Sequence, residues 1–238
     1  MTEQAPRSPL ARGPKGLDRT TVVRAALVSI DAHGPHGLTM RGLGQDLGVE
    51  AMSLYRYVSG REDLLEAVVS LLLEGLRDEL DDAMIETWQG YLQSVAHAVR
   101  RIAVEHPAAF PLVATRHPAA PWLRPPIRSL ELVEQLLSTL VAQGFSDAQA
   151  VDTYRAFSSF LLGQLLLESA VRGAETGPVE EALDEGGASL PGRDGEADPT
   201  NNPTVLRLRP LLAEDRSEEE FEIGMESLLD RLELGLAQ

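Results

Sequence analysis

Arg41, Ser53, Arg56 and Tyr57 stand on either side of Gly48, in a pattern that suits hydrogen bonding to nucleic acid. Arginine donors and a serine hydroxyl bond to base edges or phosphates, and Met52 offers an apolar contact for a thymine methyl. Gly48 has no β-carbon and so tolerates the left-handed turn between two short helices. The first helix is expected to run from a cap at Thr39 through Leu43 to Leu47. The second begins near Glu50, turns Leu54 and Val58 inward, and leaves Ala51, Met52, Ser53, Arg56 and Tyr57 to approach a groove. Small residues open it and larger polar ones follow, which is the order major-groove docking needs. Ser59 and Glu62 then have the spacing of a capping box, and Arg61 joins free amides at a helix start that favours anions. The same pattern also suits a glycine-turned packing corner with no ligand.

The elements before and after extend the pattern. Residues 19–33 read as an amphipathic helix with Val22, Val23, Ala26, Leu27 and Ile30 on one side and Asp18 as its cap. His33-Gly34-Pro35-His36-Gly37-Leu38-Thr39 follows, then Arg41, Leu43, the Leu47-Gly48-Val49 turn and Leu54-Tyr55-Arg56-Tyr57-Val58. In these motifs and their order, residues 17–76 resemble the DNA-binding domain of the TetR family of transcriptional repressors. The resemblance implies that Thr39 and Arg41 approach DNA from the second helix, that Ala51, Met52, Ser53, Tyr55, Arg56 and Tyr57 do so from the third, and that Arg61 holds the backbone at the head of the fourth. Tyr55 has an alternative role, since its ring also suits the core of three helices.

Charge is divided along the chain. Net charge is −16, yet residues 1–61 carry eight Arg and Lys against five Asp and Glu, and the remainder carries 13 against 32. A basic head and an acidic body would orient the molecule on phosphates, although an acidic helical body is also simply a solvated surface. Residues 1–16 form a proline-rich basic arm with Arg7, Arg12 and Lys15, expected to be disordered without DNA and either inert or laid along a minor groove. Without cysteine there is no disulfide, thiolate nucleophile or thiolate zinc site. The longest apolar stretch, residues 157–167, is interrupted by Gly163 and Gln164 and is too short to span a bilayer. With no signal-like start, a cytoplasmic protein without membrane contact is expected.

An aromatic content of 5% fits stacked helices rather than a β-sandwich. The expected fold is all-α: an N-terminal three-helix helix-turn-helix domain over 17–64 and a larger helical domain over 65–238. The sequence predicts helices over 61–80, 87–105, 127–143, 146–172 and 217–236, with proline-punctuated turns between Pro107 and Pro126 and a flexible acidic loop over 173–203. An apolar stripe on the last helix needs a partner surface. Phe160, Leu161, Leu165, Phe221, Met225, Leu228, Leu229 and Leu232 are therefore candidates for a four-helix interface in a homodimer. Two copies also suit a palindromic operator in double-stranded DNA.

Segments 143–146, 160–163 and 221–226 resemble the C-terminal domain of the tetracycline-repressor branch, and residues 106–116 resemble its pocket wall. A body of that kind holds a small-molecule effector between helices. Its candidate contacts here are Trp88, Tyr91, Val95, Val99, Phe110, Val113, Arg116, Trp122, Gln135, Tyr154, Phe157 and Gln164, which suit plain core equally well. That branch has a metal-binding histidine before its Thr-Arg pair, whereas residues 110–114 contain neither histidine nor acid, and Leu167 stands at the position of its acid. His106 and His117 lack zinc-like spacing and a carboxylate nearby in sequence. Loss of hard ligands argues against a magnesium chelate, and no cofactor is expected. A larger, mainly apolar effector is preferred. The competing classes are a helical interaction protein with a vestigial helix-turn-helix, and a helical enzyme, for which no catalytic constellation is evident; His97 reads as a surface residue.

Overall fold

A computed structural model describes residues 17–74, 76, 86–115, 117–174 and 203–236. The expected arm at 1–16, residues 175–202 of the expected loop, and Arg116 lie outside the described residues. Among those described there is no strand. The chain divides into two compact units, residues 1–177 and 178–238.

In the first unit, α1 (Arg19–Gly37) is capped by Asp18, whose carboxylate accepts from the Thr21 amide at 2.7 Å. Its regular course breaks at Gly34, where φ is 72°, a left-handed value that explains why the expected helix stops one residue earlier. Thr39 caps α2 (Met40–Asp46) by accepting from the Gly42 amide at 3.0 Å. Gly48, with φ of 66°, turns the chain into α3 (Ala51–Leu54). The third helix is a single turn, extended by tight turns through Tyr57, and Leu54 and Val58 both point inward as their spacing predicts. Val22, Ala26, Ile30, Leu43, Leu54 and Leu64 close a small core with almost no exposure.

The fourth helix, α4 (Arg61–Leu72), ends within the expected 61–80, of which residues 75 and 77–80 lie outside the described residues. At Leu73 and Glu74 the backbone tightens into turns, with the Glu74 amide bonded to the Leu71 carbonyl, just before Gly75 in the sequence. α4 crosses the expected boundary at residue 64 and packs on both α1 and a 3-10 turn, Phe110–Ala114, of the larger bundle.

That bundle holds α5 (Trp88–Glu105), α6 (Leu130–Ala142) and α7 (Asp147–Val171), with α7 packed against α5, α6 and the 3-10 turn. Helix α6 starts three residues later than expected because Ser129 caps it, accepting from the Leu132 amide. Ser146 and Gln149 form a true capping box at the head of α7. Glu168, 5% exposed, is held by Arg100 at 3.0 and 3.2 Å and by Arg172 at 2.9 Å. A buried carboxylate so enclosed by cations is a structural group.

The second unit contains α8 (Pro203–Leu212), absent from the sequence-based expectation, and α9 (Ser217–Leu236), whose limits match it. Phe221 and Met225 on α9 are fully buried, whereas Leu228 and Leu232 are half-exposed.

Candidate nucleic-acid interface and internal cavity

The helix-turn-helix is held from both ends. At its centre Gly44 is buried against the chain entering α3, and a β-carbon there would lie 2.9 Å from the Val49 carbonyl oxygen. Sequence reasoning misses this close approach; the only local signal is the glycine pair Gly42 and Gly44 inside a short helix. Arg19 donates to the Tyr57 carbonyl at 2.7 Å and to Asp63 at 2.7 Å, which ties the end of α3 to the starts of α1 and α4.

Asp63 also accepts from the amide and hydroxyl of Ser59, at 2.7 and 3.0 Å. The expected Ser59–Glu62 capping box is therefore replaced: Gly60 is the cap residue of α4 without a side-chain bond, and Asp63 satisfies the preceding turn. The Arg19 guanidinium, followed by the Ser59 amide, lowers the Asp63 pKa to about 2 from an ordinary 3.8. Such a depressed carboxyl stabilises the fold above pH 3.8 and loses that contribution as pH falls toward 2. Asp63→Asn is expected to be less stable than the parent at pH 5, with the difference fading between pH 4 and pH 2 in thermal melts followed by circular dichroism.

The Arg61 guanidinium donates to the carbonyls of Pro35 at 2.8 Å and Leu38 at 3.4 Å, bracing the entry to α2. Tyr55 does not take the alternative place in the core. It is 47% exposed, so its ring lies outside the core.

Around that frame the surface is open. Met52 is 74% exposed, Thr39, Arg41 and Arg56 are exposed, and Ala51, Ser53 and Tyr57 are half-buried. Arg41 and Arg56 hold no side-chain hydrogen bond or ion pair among the described residues. Thr39 uses its oxygen as an acceptor for the helix cap, which leaves its hydroxyl proton to donate. Two cations, several hydroxyls and one thioether on a single rigid turn can bond to phosphates and base edges.

A second feature lies inside the bundle. An apolar cavity of about 20 Å³ is lined by Val95, Val99, Val113, Tyr154 and Phe157, five of the expected effector contacts. It is also lined by Ile127, Leu132, Val133, Leu136, Ser158 and Leu162, which share the periodicity of ordinary core and carry no distinguishing signal. Room for about one water is far below the few hundred Å³ of a drug-sized site.

The other expected contacts lie elsewhere. Trp122 is 73% exposed, Tyr91 and Phe110 are buried core, and Trp88 packs edge-on against Phe145 at 5.4 Å. Gln135 and Gln164 are half-buried without lining the cavity. Leu161, expected at a dimer interface, lines the cavity instead, and Leu165 is fully buried, because α7 turns this face toward its own bundle. Tyr154 donates its hydroxyl to the Pro125 carbonyl at 2.7 Å, and burial pushes its pKa up to about 12.

Both histidines of the 106–117 segment have carboxylate partners that sequence distance conceals. His106 Nδ1 lies 2.8 Å from Asp31 on α1, and His117 Nε2 lies 3.2 Å from Glu66 on α4. Because His117 Nδ1 accepts from the Ala119 amide, its proton sits on Nε2 and is donated to Glu66. No group of three or more His, Asp or Glu able to hold a metal occurs among the described residues.

The head and the bundle each match a known family model. One described as bacterial regulatory proteins, tetR family, matches residues 22–68, and one described as tetracyclin repressor-like, C-terminal domain, matches residues 83–235. The chain is 29% identical over 222 residues to the class D tetracycline repressor of Escherichia coli, spanning 92% of this chain and 91% of that protein. A crystal structure of a possible TetR family transcriptional regulator from Streptomyces coelicolor is similar at 28% identity and a TM-score of 0.67, over 91% of this chain and 99% of that one. The Streptomyces coelicolor TetR family protein ActR in complex with actinorhodin is similar at 25% identity and a TM-score of 0.63, over 93% and 98%.

Proposed function

The chain belongs to the TetR family of bacterial transcriptional regulators, and from that premise we propose that it is a homodimeric repressor released from a palindromic operator by a small, largely apolar effector. The observation that carries this reading is the pairing of unengaged Arg41 and Arg56 with exposed Met52 on a turn braced by Arg19, Arg61 and Asp63. A preorganised turn that presents two unengaged arginines suits a DNA groove. Thr39, Ala51, Ser53, Tyr55 and Tyr57 complete the contact surface, and Arg61 supports it from behind.

One head reads one half-site, so a two-fold pair would read half-sites about 34–36 Å apart or a multiple of that. On α7 the outward positions Leu167 and Val171 are 69% and 88% exposed, in line with half-buried Phe160. This stripe supports a pairing surface in place of Leu161 and Leu165, and half-exposed Leu228 and Leu232 of α9 remain candidates for another part of it. Two copies related by a two-fold axis would bury such a stripe against its own counterpart.

The effector reading rests on the cavity wall, whose polar groups are Tyr154 and Ser158, with no charged side chain. Glu168 is enclosed by Arg100 and Arg172 and so is not available to a hydrated metal. Actinorhodin, the molecule bound by the similar ActR, is a precedent for an effector within this fold.

Selection of genomic fragments by the purified protein tests the reading directly. We expect enrichment of one palindrome, with log affinity falling linearly as log salt rises. A lone protomer in solution, or equal affinity for all duplexes at moderate salt, would sink the proposal. Compounds that release the enriched fragment are expected to be apolar and indifferent to magnesium.

A further inference from the structure

We infer that a groove between α1 and the ends of α4 and α5 is a second binding site, and that it takes a compact zwitterion, an ammonium and a carboxylate on an apolar frame. Its volume is about 330 Å³ against about 20 Å³ for the internal cavity, and the two have no described lining residue in common. Space of that size lies at the lower end of the range for small-molecule sites. The inference does not depend on the regulator reading above.

The floor of the groove is apolar and comes from three helices. Leu27 stands on α1, Leu71 and Leu72 end α4, Ile102 stands on α5, and buried Leu76 lies beyond. Leu27, Leu71 and Ile102 are half-buried, so each keeps surface that a guest would take out of water. Such a floor suits a hydrocarbon side chain.

The rim carries the charge. Arg24 lines the groove from α1, Glu105 from the last turn of α5, and Glu74 from the turn that follows α4. All three are exposed, and although Arg24 feels the Asp18 carboxylate, none holds a side-chain hydrogen bond or ion pair among the described residues. Opposite charges thus line one groove without pairing.

A guest with a carboxylate for Arg24 and an ammonium for Glu74 and Glu105 would engage all three. A plain anion would sit beside two carboxylates and a plain cation beside a guanidinium, so a zwitterion is the better match. Arg101 also lines the groove but already has a partner. Because the Asp31 carboxylate accepts from His106, a proton lies on His106 Nδ1, and Nε2 makes no hydrogen bond among the described residues. The ring is therefore held in place at one end of the groove.

Calorimetric titration of the full chain without DNA tests this, with the dipeptide leucyl-phenylalanine, its N-acetyl form and its C-terminal amide as probes. The dipeptide is expected to bind, and each blocked form to bind about fivefold or more weakly. Arg24→Gln should weaken the dipeptide and the acetylated form but not the amide, which has no carboxylate to lose. Glu74→Gln combined with Glu105→Gln should weaken the dipeptide and the amide but not the acetylated form. Amide hydrogen exchange with the dipeptide present should slow near Leu27, Leu71 and Ile102.

Equal affinity for the three probes would reduce the groove to an apolar patch and overturn the inference. So would no binding at millimolar dipeptide, or slowed exchange confined to Val95, Tyr154 and Phe157, which would put the guest in the internal cavity. A parent protein that binds the dipeptide in this way but prefers no duplex would support the groove and count against the regulator reading alone.

Discussion

Replacing Arg41 and Arg56 together by alanine is expected to lower operator affinity by about a hundredfold or more, while the melting temperature stays near that of the parent. Each arginine is exposed and carries no internal hydrogen bond or ion pair among the described residues, so its removal breaks nothing in the fold. A good bidentate contact to a base contributes about 1–3 kcal/mol, and 1.4 kcal/mol is tenfold in affinity. Fluorescence anisotropy with a labelled operator at several salt concentrations separates the two roles an arginine can play. Removing one that binds a phosphate reduces the salt slope by about 1 and weakens all duplexes alike. Removing one that reads a base leaves the slope nearly unchanged and erodes discrimination at one position of the half-site. An unchanged affinity in the double variant would remove this face of the molecule from DNA recognition.

Gly44→Ala is expected to be the most damaging conservative change in the head. The added β-carbon would meet the Val49 carbonyl oxygen at 2.9 Å and the Ala51 amide nitrogen at 3.1 Å. Both are backbone atoms at the entry to α3, so relief requires α2 and α3 to separate. Overpacking of this kind costs about 1–3 kcal/mol, a large share of the stability of so small a core. Gly48→Ala is the informative control, because its φ of 66° is strained for alanine while its β-carbon would meet nothing within 4 Å. Gly48→Asn should therefore recover stability and DNA binding, since asparagine tolerates the left-handed region, whereas Gly44→Asn should not. Chemical denaturation and operator binding on the same samples check this. Full activity in Gly44→Ala would show that the two helices do not need their close approach.

The two glycines also illustrate what sequence can reveal. Gly48 is legible because a left-handed turn is a local requirement, satisfied within a few residues of chain. The caps at Asp18, Thr39 and Ser146 are legible for the same reason, each bonding to an amide three residues on. Gly44 is not, since its constraint comes from chain returning after the turn. The braces of the head are more distant still: Arg19 and Asp63 are 44 positions apart, and Arg128 and Glu62 are 66 apart. No periodicity encodes such pairs, and the nearer alternative of Ser59 with Glu62 draws the capping assignment to the wrong acid.

The body shows the same limit in apolar form. Helical spacing locates α5, α7 and α9 well, yet it does not say which faces meet one another. Leu161 and Phe160 are neighbours of the same apolar character, and only packing turns one toward the cavity and the other outward. Inward-facing and outward-facing apolar positions can therefore exchange places in a reading based on composition.

The near-absence of free space between Val95, Ile127 and Phe157 has a bearing on dosage. On the regulator reading, an inducer larger than a solvent molecule that bound here would need copies whose interior has loosened, so its apparent dissociation constant would be its intrinsic one divided by their fraction. The threshold at which a cell responds would then be set as much by how rarely the protein breathes as by how well the guest fits.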